Sequence, residues 1–473
     1  MPALGVGVIY NSGLEPLLRA DPALFDVLEI EPQTTWIESP NHPGDVRSRP
    51  EVLDYIAALP GHKLVHSVGT PVGGSIAGVE TQLPLLRETV AKLRAPFASE
   101  HLAFNLTRDS FTGFFLPPRQ TAEGIRVYTG MVNKLRDALG VPLAVETGVN
   151  YLRPRPDEMP DGEFVKEVVR SSGCGILLDL HNVYCNQLNG RQKMEQFFSQ
   201  IPLDSVWEVH LAGGFEMDGF WLDSHSGAIP DDLLAIAREI VPHMPNLKAM
   251  MFEIFSSFLP KFGLEGVKEQ MGKMRSIWEL QRLAELPEAP VSKPSRIVVS
   301  GPSVQEWEQS LGNMVIGREP ANLDPLITED PGVSLMRGLI EQFRASMVVG
   351  VYRLTSRFLM LSLTSEVFFT LLKDYWSRQT PRQYAASEAE AFYADLEARN
   401  LHLPWFTKIL EFERAAMMTT LDCQPRVVRF FADPLPMLNA LTDGRLPDLV
   451  PQEGEYEIEL TPDGPFAISP VVE

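Results

Sequence analysis

Eight short apolar runs in the first 255 residues of this chain end in, or lead into, a side chain able to hold a metal or line a site. VHSVG carries His66, ASEHLAF carries His101, LAVETG carries Glu146 and GILLDLHN carries Asp179. EVHLAG carries His210, LDSH carries Asp223 and His225, and MFEIF carries Glu253. LEIEPQTTW adds Glu29 and Glu31, which read as contacts to a substrate or as outer partners of the ligands. A lone histidine at a strand end ordinarily satisfies a local hydrogen bond, but here the pattern recurs: of nine histidines, eight precede residue 244. Carboxylates buried together need a partner, because an unpaired buried charge is costly. One cation cluster shared by Glu146, Asp179, Asp223 and Glu253 meets that need for all four. Asp223 and His225 stand two apart, so an extended segment turns both to one side. Imidazole mixed with carboxylate suits iron, zinc or manganese better than calcium or magnesium. The chemistry expected is that of a multinuclear metal centre.

Strands must present these side chains at one place. The runs read as strands at Val6–Tyr10, Val27–Ile30, Leu64–Ser67, Ala98–His101, Leu143–Glu146, Ile176–Asp179, Trp207–Leu211 and Met250–Ile254. Amphipathic segments lie between them, such as Ile125–Leu139, with Met131, Leu135 and Leu139 at helical spacing. Apolar strands with helical crossovers form parallel sheets buried on both faces. The fold class expected is therefore α/β, a (β/α)8 barrel whose active face lies at the strand C-termini.

The barrel is expected over residues 1–285, a linker at LPEAPVSKPSR (286–296), and a smaller, mainly helical domain with a short β tail over 297–473. Proline removes backbone donors and resists helix continuation, which marks the linker. Helices read at Leu335–Val349, Val367–Trp376, Glu388–Arg399 (with Ser387 as its N-cap) and Leu403–Thr420. VVRFF and YEIELT read as strands. The reading leaves 297–332 unassigned.

Composition narrows the function classes. The chain has 473 residues, 44% hydrophobic and 22% charged, an ordinary soluble balance. Its formal charge of −21 opposes a nucleic-acid partner. No apolar run reaches the length of a membrane span and the N-terminus lacks the pattern of a signal peptide, so neither a membrane partner nor export is expected. Three cysteines without CxxC spacing point to a reducing compartment, the cytoplasm.

The segment LLDLHNVYCN, 177–186, resembles the motif LLDxNNVYVN of the multinuclear non-haem iron-dependent oxidative enzymes, a barrel family formerly known only as a domain of unknown function. SEHLAF at 99–104, LAVETGVNYL at 143–152, and VHLAGG with WLDSH across 209–225 are similar to further blocks of that family in the same order. The likeness spans about residues 5–260. More distantly it extends to barrels of the endonuclease IV and sugar-isomerase type. It implies one metal held by His66, His101 and Glu146, a second bridged by Glu146 and held by Asp179, His210 and Glu253, and a third held by Asp223 and His225 with Asn182 completing it. Asn182 stands where the endonuclease-like barrels place His, and Thr147 where the family often has Asn.

The same resemblance implies two or three iron ions of mixed valence, O2 as co-substrate, and oxidation of a peptide side chain, cysteine foremost. A precursor peptide, or a small thiol or amino acid, would be the substrate. The alternative on the same barrel is a divalent-metal hydrolase or isomerase; a non-catalytic protein keeping its ligands for stability is the third class. Residues 363–415, with FFTLLKDYW, SEAEAFYADLEA and LPWFTKILEFERA, resemble the helical partner proteins of this family. A fused helper would make a separate partner unnecessary by holding the two at high effective concentration.

Overall fold

A computed structural model describes residues 1–39, 42, 44–76, 82–281, 301–319, 325–447, 453–462 and 467–470. The expected linker, 286–296, lies outside the described residues. Eight parallel strands close a barrel: β1 (Gly5–Ile9), β2 (Val27–Ile30), β3 (His62–Ser67), β4 (Ala98–His101), β5 (Leu143–Glu146), β6 (Gly175–Asp179), β7 (Val206–Ala212) and β8 (Ala249–Glu253). Each pairs with its neighbours in sequence, and β8 closes on β1. The expected (β/α)8 fold is borne out, with some strand ends shifted by a residue or two. Strand β7, for instance, extends to Ala212 because that residue still pairs with Glu253.

The period of two along each strand divides the side chains into two sets. Val6, Val8, Leu28, Ile30, Val65, Val145, Ile176, Leu178, Val209, Leu211, Met250 and Phe252 face outward into the main core beneath the helices. These helices are α1 (Glu15–Ala20), α2 (Pro50–Ala58), α3 (Leu83–Leu93), α4 (Ala122–Leu139), α5 (Asp161–Ser172), α6 (Leu180–Leu188), α7 (Asp231–Ile240) and α8 (Leu264–Gln281). The other set is itself divided along the barrel axis. Leu4, Val27, Leu64, Phe97, Ala144, Leu177, Ala249 and Met251 form a separate apolar plug. Two residues further along the same strands stand Glu29, His66, Ser99, Glu146, Asp179 and Glu253, so the polar layer lies toward the strand C-termini. Gly7 lets β2 approach β1: a Cβ there would fall 1.9 Å from the Val27 carbonyl oxygen.

Beyond the barrel come α9 (Val304–Val315), α10 (Pro331–Val351), α11 (Arg353–Ser362), α12 (Ser365–Arg378), α13 (Ala385–Arg399) and α14 (Phe406–Asp422). A three-stranded sheet follows, in the order β9 (Arg426–Ala432), β10 (Glu453–Leu460), β11 (Ala467–Pro470). Helix α9 falls in the unassigned stretch. It opens on a capping box in which Ser303 and Glu306 satisfy each other's backbone N–H groups. Helix α13 begins at Ala385, with Tyr384 as its N-cap, so the expected cap at Ser387 is corrected. Ser387 is buried inside the first turn, and its hydroxyl donates to the carboxylate of Glu38 on the barrel rim.

The C-terminal helices share a core with the barrel. Phe104, Leu116, Tyr151, Leu152 and Leu222 pack with Trp307, Leu311, Met336 and Ile340. Polar contacts add to it: the Arg153 N–H donates to Asp330 at 2.9 Å, and Gln82 to Gln383 at 2.8 Å. No helix among the described residues is long and apolar enough to cross a membrane.

Candidate metal centre

The polar layer gathers at the C-terminal mouth of the barrel. Strands β3, β4 and β5 bring the first group together. Oε2 of Glu146 lies 3.1 Å from His66 Nε2 and 2.9 Å from His101 Nε2. The other ring nitrogens are held from behind: His66 Nδ1 meets Ser99 Oγ at 2.9 Å, and His101 Nδ1 meets Glu100 Oε1 at 3.3 Å. Such outer partners fix which nitrogen of a ligating imidazole faces the ion. Phe115 stacks on His101, ring centres 4.0 Å apart.

Glu146, Asp179 and His210 converge as a second group, and Asp179, His225 and Glu253 as a third; within each, the ligand atoms lie within 4.8 Å of one another. Glu253 links the two, with Oε1 2.9 Å from His210 Nδ1 and Oε2 3.1 Å from His225 Nε2. Asp223 Oδ1 is 2.8 Å from His225 Nε2. The register sets these approaches, since His101 lies opposite Glu146 and Asp179 opposite His210 across their ladders.

Several of these short approaches lack hydrogen-bond alignment. Glu146 Oε2, Asp179 Oδ2, Glu253 Oε2, His210 Nδ1 and His225 Nε2 are buried without a hydrogen-bond partner. Orphaned polar atoms of this kind are uncommon and demand an explanation. Donor atoms that crowd together yet do not point along each other's lone pairs fit shared cations. Electrostatics agrees. Burial raises the Asp179 carboxyl, and Glu253, Asp223 and Glu146 beside it push it well above its usual range. Burial opposes ionisation of Glu146 as well, but His101 and His66 outweigh it and hold that carboxyl well below. His225 is pushed up to about 10: burial lowers it, while Asp223 and Glu253 raise it further. A group this crowded takes up protons or cations.

Asn182, on the first turn of α6, points Nδ2 to Glu146 Oε1 at 3.4 Å, and its Oδ1 is orphaned. Asp179 caps that helix by accepting from the Asn182 N–H at 2.9 Å. Glu31 lines the cavity above the cluster. Glu29, read from the sequence as a contact to a substrate or an outer partner of the ligands, is fully buried, Oε2 2.9 Å from His210 Nε2. Glu208 joins it there, 3.8 Å from the same nitrogen and pushed up to about 8 by burial and by Glu29. The sequence reading passed over Glu208, although EVH places it two residues before His210 and hence on the same face. The His181 ring reaches Asp223, with Nδ1 3.0 Å from Oδ1.

A cavity of about 770 Å³ opens over the cluster. His66, His101, Glu146, Asn182, Asp223, His225 and Glu253 line its floor, and Trp36, Phe115 and Phe255 its sides. Phe343 and Met347 of α10 and Tyr384 ahead of α13 complete the wall from the C-terminal region.

Fold and centre together define a (β/α)8 barrel with a histidine–carboxylate cluster at its mouth. Residues 18–273 match the family model of the RiPP precursor modification enzymes MbnB/TglH/ChrH, and the chain belongs to that family. A UPF0276 protein of Chromobacterium violaceum is 31% identical over 224 residues, 47% of this chain and 81% of that protein. One from Streptomyces avermitilis is 30% identical over 229 residues, 46% of each chain. Among solved structures, a xylose isomerase domain containing protein from Salmonella typhimurium aligns at 15% identity with a TM-score of 0.39, covering 59% of this chain and 97% of that one.

Proposed function

We propose that the chain is an iron- and O2-dependent oxidase that modifies a side chain, cysteine foremost, of a ribosomal precursor peptide. One observation carries the reading: orphaned nitrogen and oxygen atoms of Glu146, His225 and Glu253 on the floor of a cavity large enough for several residues crowd together with those of Asp179 and His210 buried just beneath it. His66, His101 and Glu146 would hold one ion. Asp179, His210 and Glu253 would hold a second with Glu146, and Asp223, His225 and Asn182 a third. When bound, the iron supplies electrons for O2 reduction and the Lewis acidity that turns a thiol into a thiolate.

The chain's residues do the rest. Glu146 meets His66 and His101 through one oxygen and would gather them on one ion, while Glu253 reaches His210 with one oxygen and His225 with the other and would link two of the groups. Phe115 and Phe255 back His101 and His225 and limit water at the floor. Glu31 offers a polar contact at the wall. The C-terminal region, read as a fused helper, closes the far wall through Phe343, Met347 and Tyr384. Among the described residues its strand β9 pairs with β10 on one side only and carries exposed Val427 and Phe431, an edge to which an extended peptide segment could add.

The test is anaerobic reconstitution of the full chain with Fe(II), elemental analysis, and O2 uptake with a cysteine-bearing precursor peptide. Iron binding with peptide-dependent O2 consumption, both abolished in Glu146→Ala and His210→Ala, is the expected result. Stoichiometric zinc in place of iron, with no O2 consumed, overturns it.

A further inference from the structure

We propose that His181 is a positioning residue that fixes the Asp223 carboxylate through a tautomer imposed by Trp221. The inference rests on the reading of Asp223 and His225 as ligands of an ion. His181 is fully buried in the first turn of α6, two residues after Asp179. Its type suggests a further ligand, but its contacts leave it no free donor atom. The Trp221 indole Nε1–H lies 3.3 Å from His181 Nε2 and can only donate, so Nε2 must accept. The ring proton then sits on Nδ1, which donates to Asp223 Oδ1 at 3.0 Å. Both nitrogens are spent, one on the indole and one on the carboxylate. The chain of groups runs Trp221 to His181 to Asp223 to His225, whose Nε2 lies 2.8 Å from the same Asp223 oxygen.

The surroundings hold this ring in place. Gly214 lies over the junction: a Cβ there would fall 2.7 Å from both His181 Nε2 and Trp221 Nε1, and 2.4 Å from the Leu222 carbonyl oxygen. Only a residue without a side chain leaves room for the pair. Cys185, one helical turn along α6, sets its sulfur 3.7 and 3.8 Å from the two ring nitrogens. The Asp223 N–H donates to the Tyr151 hydroxyl at 3.1 Å, anchoring the backbone beside the carboxylate. A histidine pinned by its neighbours and bonded to a ligand's carboxylate belongs to the outer partners that orient metal ligands, whose loss weakens affinity roughly 10–100-fold.

Anaerobic titration of the full chain with Co(II) alone, read by its d–d absorption and by ion count, tests this. His181→Phe keeps the ring and removes both polar atoms; Trp221→Phe removes only the donor that selects the tautomer. Each is expected to weaken one ion roughly 10–100-fold and leave the others as in the wild type. His181→Asn, whose Nδ2 stands where the imidazole Nδ1–H stood, is expected to recover most of that loss. Thermal unfolding of the ion-free proteins separates folding from binding; should His181→Phe fail to fold, Trp221→Phe alone decides. Wild-type affinity for every ion in Trp221→Phe overturns the proposal. So does a His181→Asn variant as weak as His181→Phe with a changed Co(II) spectrum, which would make His181 a ligand. A wild type that binds no Co(II) overturns instead the whole reading of the mouth as a metal centre, and this inference with it.

Discussion

Trp307 of α9 donates its indole N–H to the Pro117 carbonyl of the barrel at 3.2 Å. The guanidinium groups of Arg119 and Arg155 each lie 5.2 Å from the same ring. Arg119 is in turn paired with Glu158 at 2.9 Å and with Asp157. One aromatic residue from beyond the barrel thus anchors the C-terminal helices to a loop at the barrel mouth.

Trp307→Ala removes a large, almost fully buried side chain and leaves two arginines without their ring. A loss of about 3–5 kcal/mol in unfolding free energy is expected. Urea denaturation followed by circular dichroism measures it. A change within about 0.5 kcal/mol, the range of ordinary surface substitutions, would show that the anchor contributes nothing.

Glu308 of α9 accepts from the Ser75 N–H at 2.7 Å and from its hydroxyl, tying the helix to the loop after β3. Burial pushes this carboxyl up to about 7 against the opposing pull of those bonds. The folded chain therefore binds the proton more tightly than the unfolded one. Its contribution to stability is complete below the unfolded value, near 4.5, and is lost as pH rises through about 7. The span amounts to roughly 3 kcal/mol. Denaturation midpoints at pH 5 and pH 7.5 should fall further in the wild type than in Glu308→Gln; equal slopes would refute it.

His101→Ala removes one imidazole from the first group and leaves Asp179, His210, His225 and Glu253 in place. Ion content measured after reconstitution should drop, while the ion-free protein unfolds at nearly its wild-type temperature. Unchanged ion content would mean that the first group binds nothing.

Phe343→Ala tests the wall furnished by the C-terminal region. The side chain is 43% exposed and faces the cavity, so its loss costs little stability. Peptide binding should weaken roughly tenfold, the scale of a partly buried aromatic contact, with iron content unchanged. Fluorescence anisotropy of a labelled precursor peptide reads the affinity directly, and wild-type binding would count against the helper role of this region.

Much of this was open to sequence reading for identifiable reasons. The strand Leu143–Glu146 reads to the residue because a barrel strand is apolar on both faces until its C-terminal end, where Glu146 breaks the run. The candidate ligands followed from recurrence, and their division among ions from the family resemblance. Glu208 escaped because the eye followed strand ends, and it sits one pleat deeper. For Glu29 the strand pattern leaves substrate contact and support of a ligand undivided, because it tells which way a side chain points but not how deep it lies. Ser387 has the right chemistry for a helix cap, yet a contact to Glu38 across the two parts of the chain claims its hydroxyl. His181 depends on Trp221, forty residues away, a relationship no local pattern encodes.

The apolar plug at the base of the barrel makes the chamber single-ended. Among the described residues Leu64, Phe97, Leu177 and Met251 seal the bottom, so whatever reaches the polar floor enters by the cavity beneath α10 and α13. A peptide lodged there would bar later arrivals from the floor. On the proposed function, premixing the ion-free chain with peptide should delay reconstitution with metal.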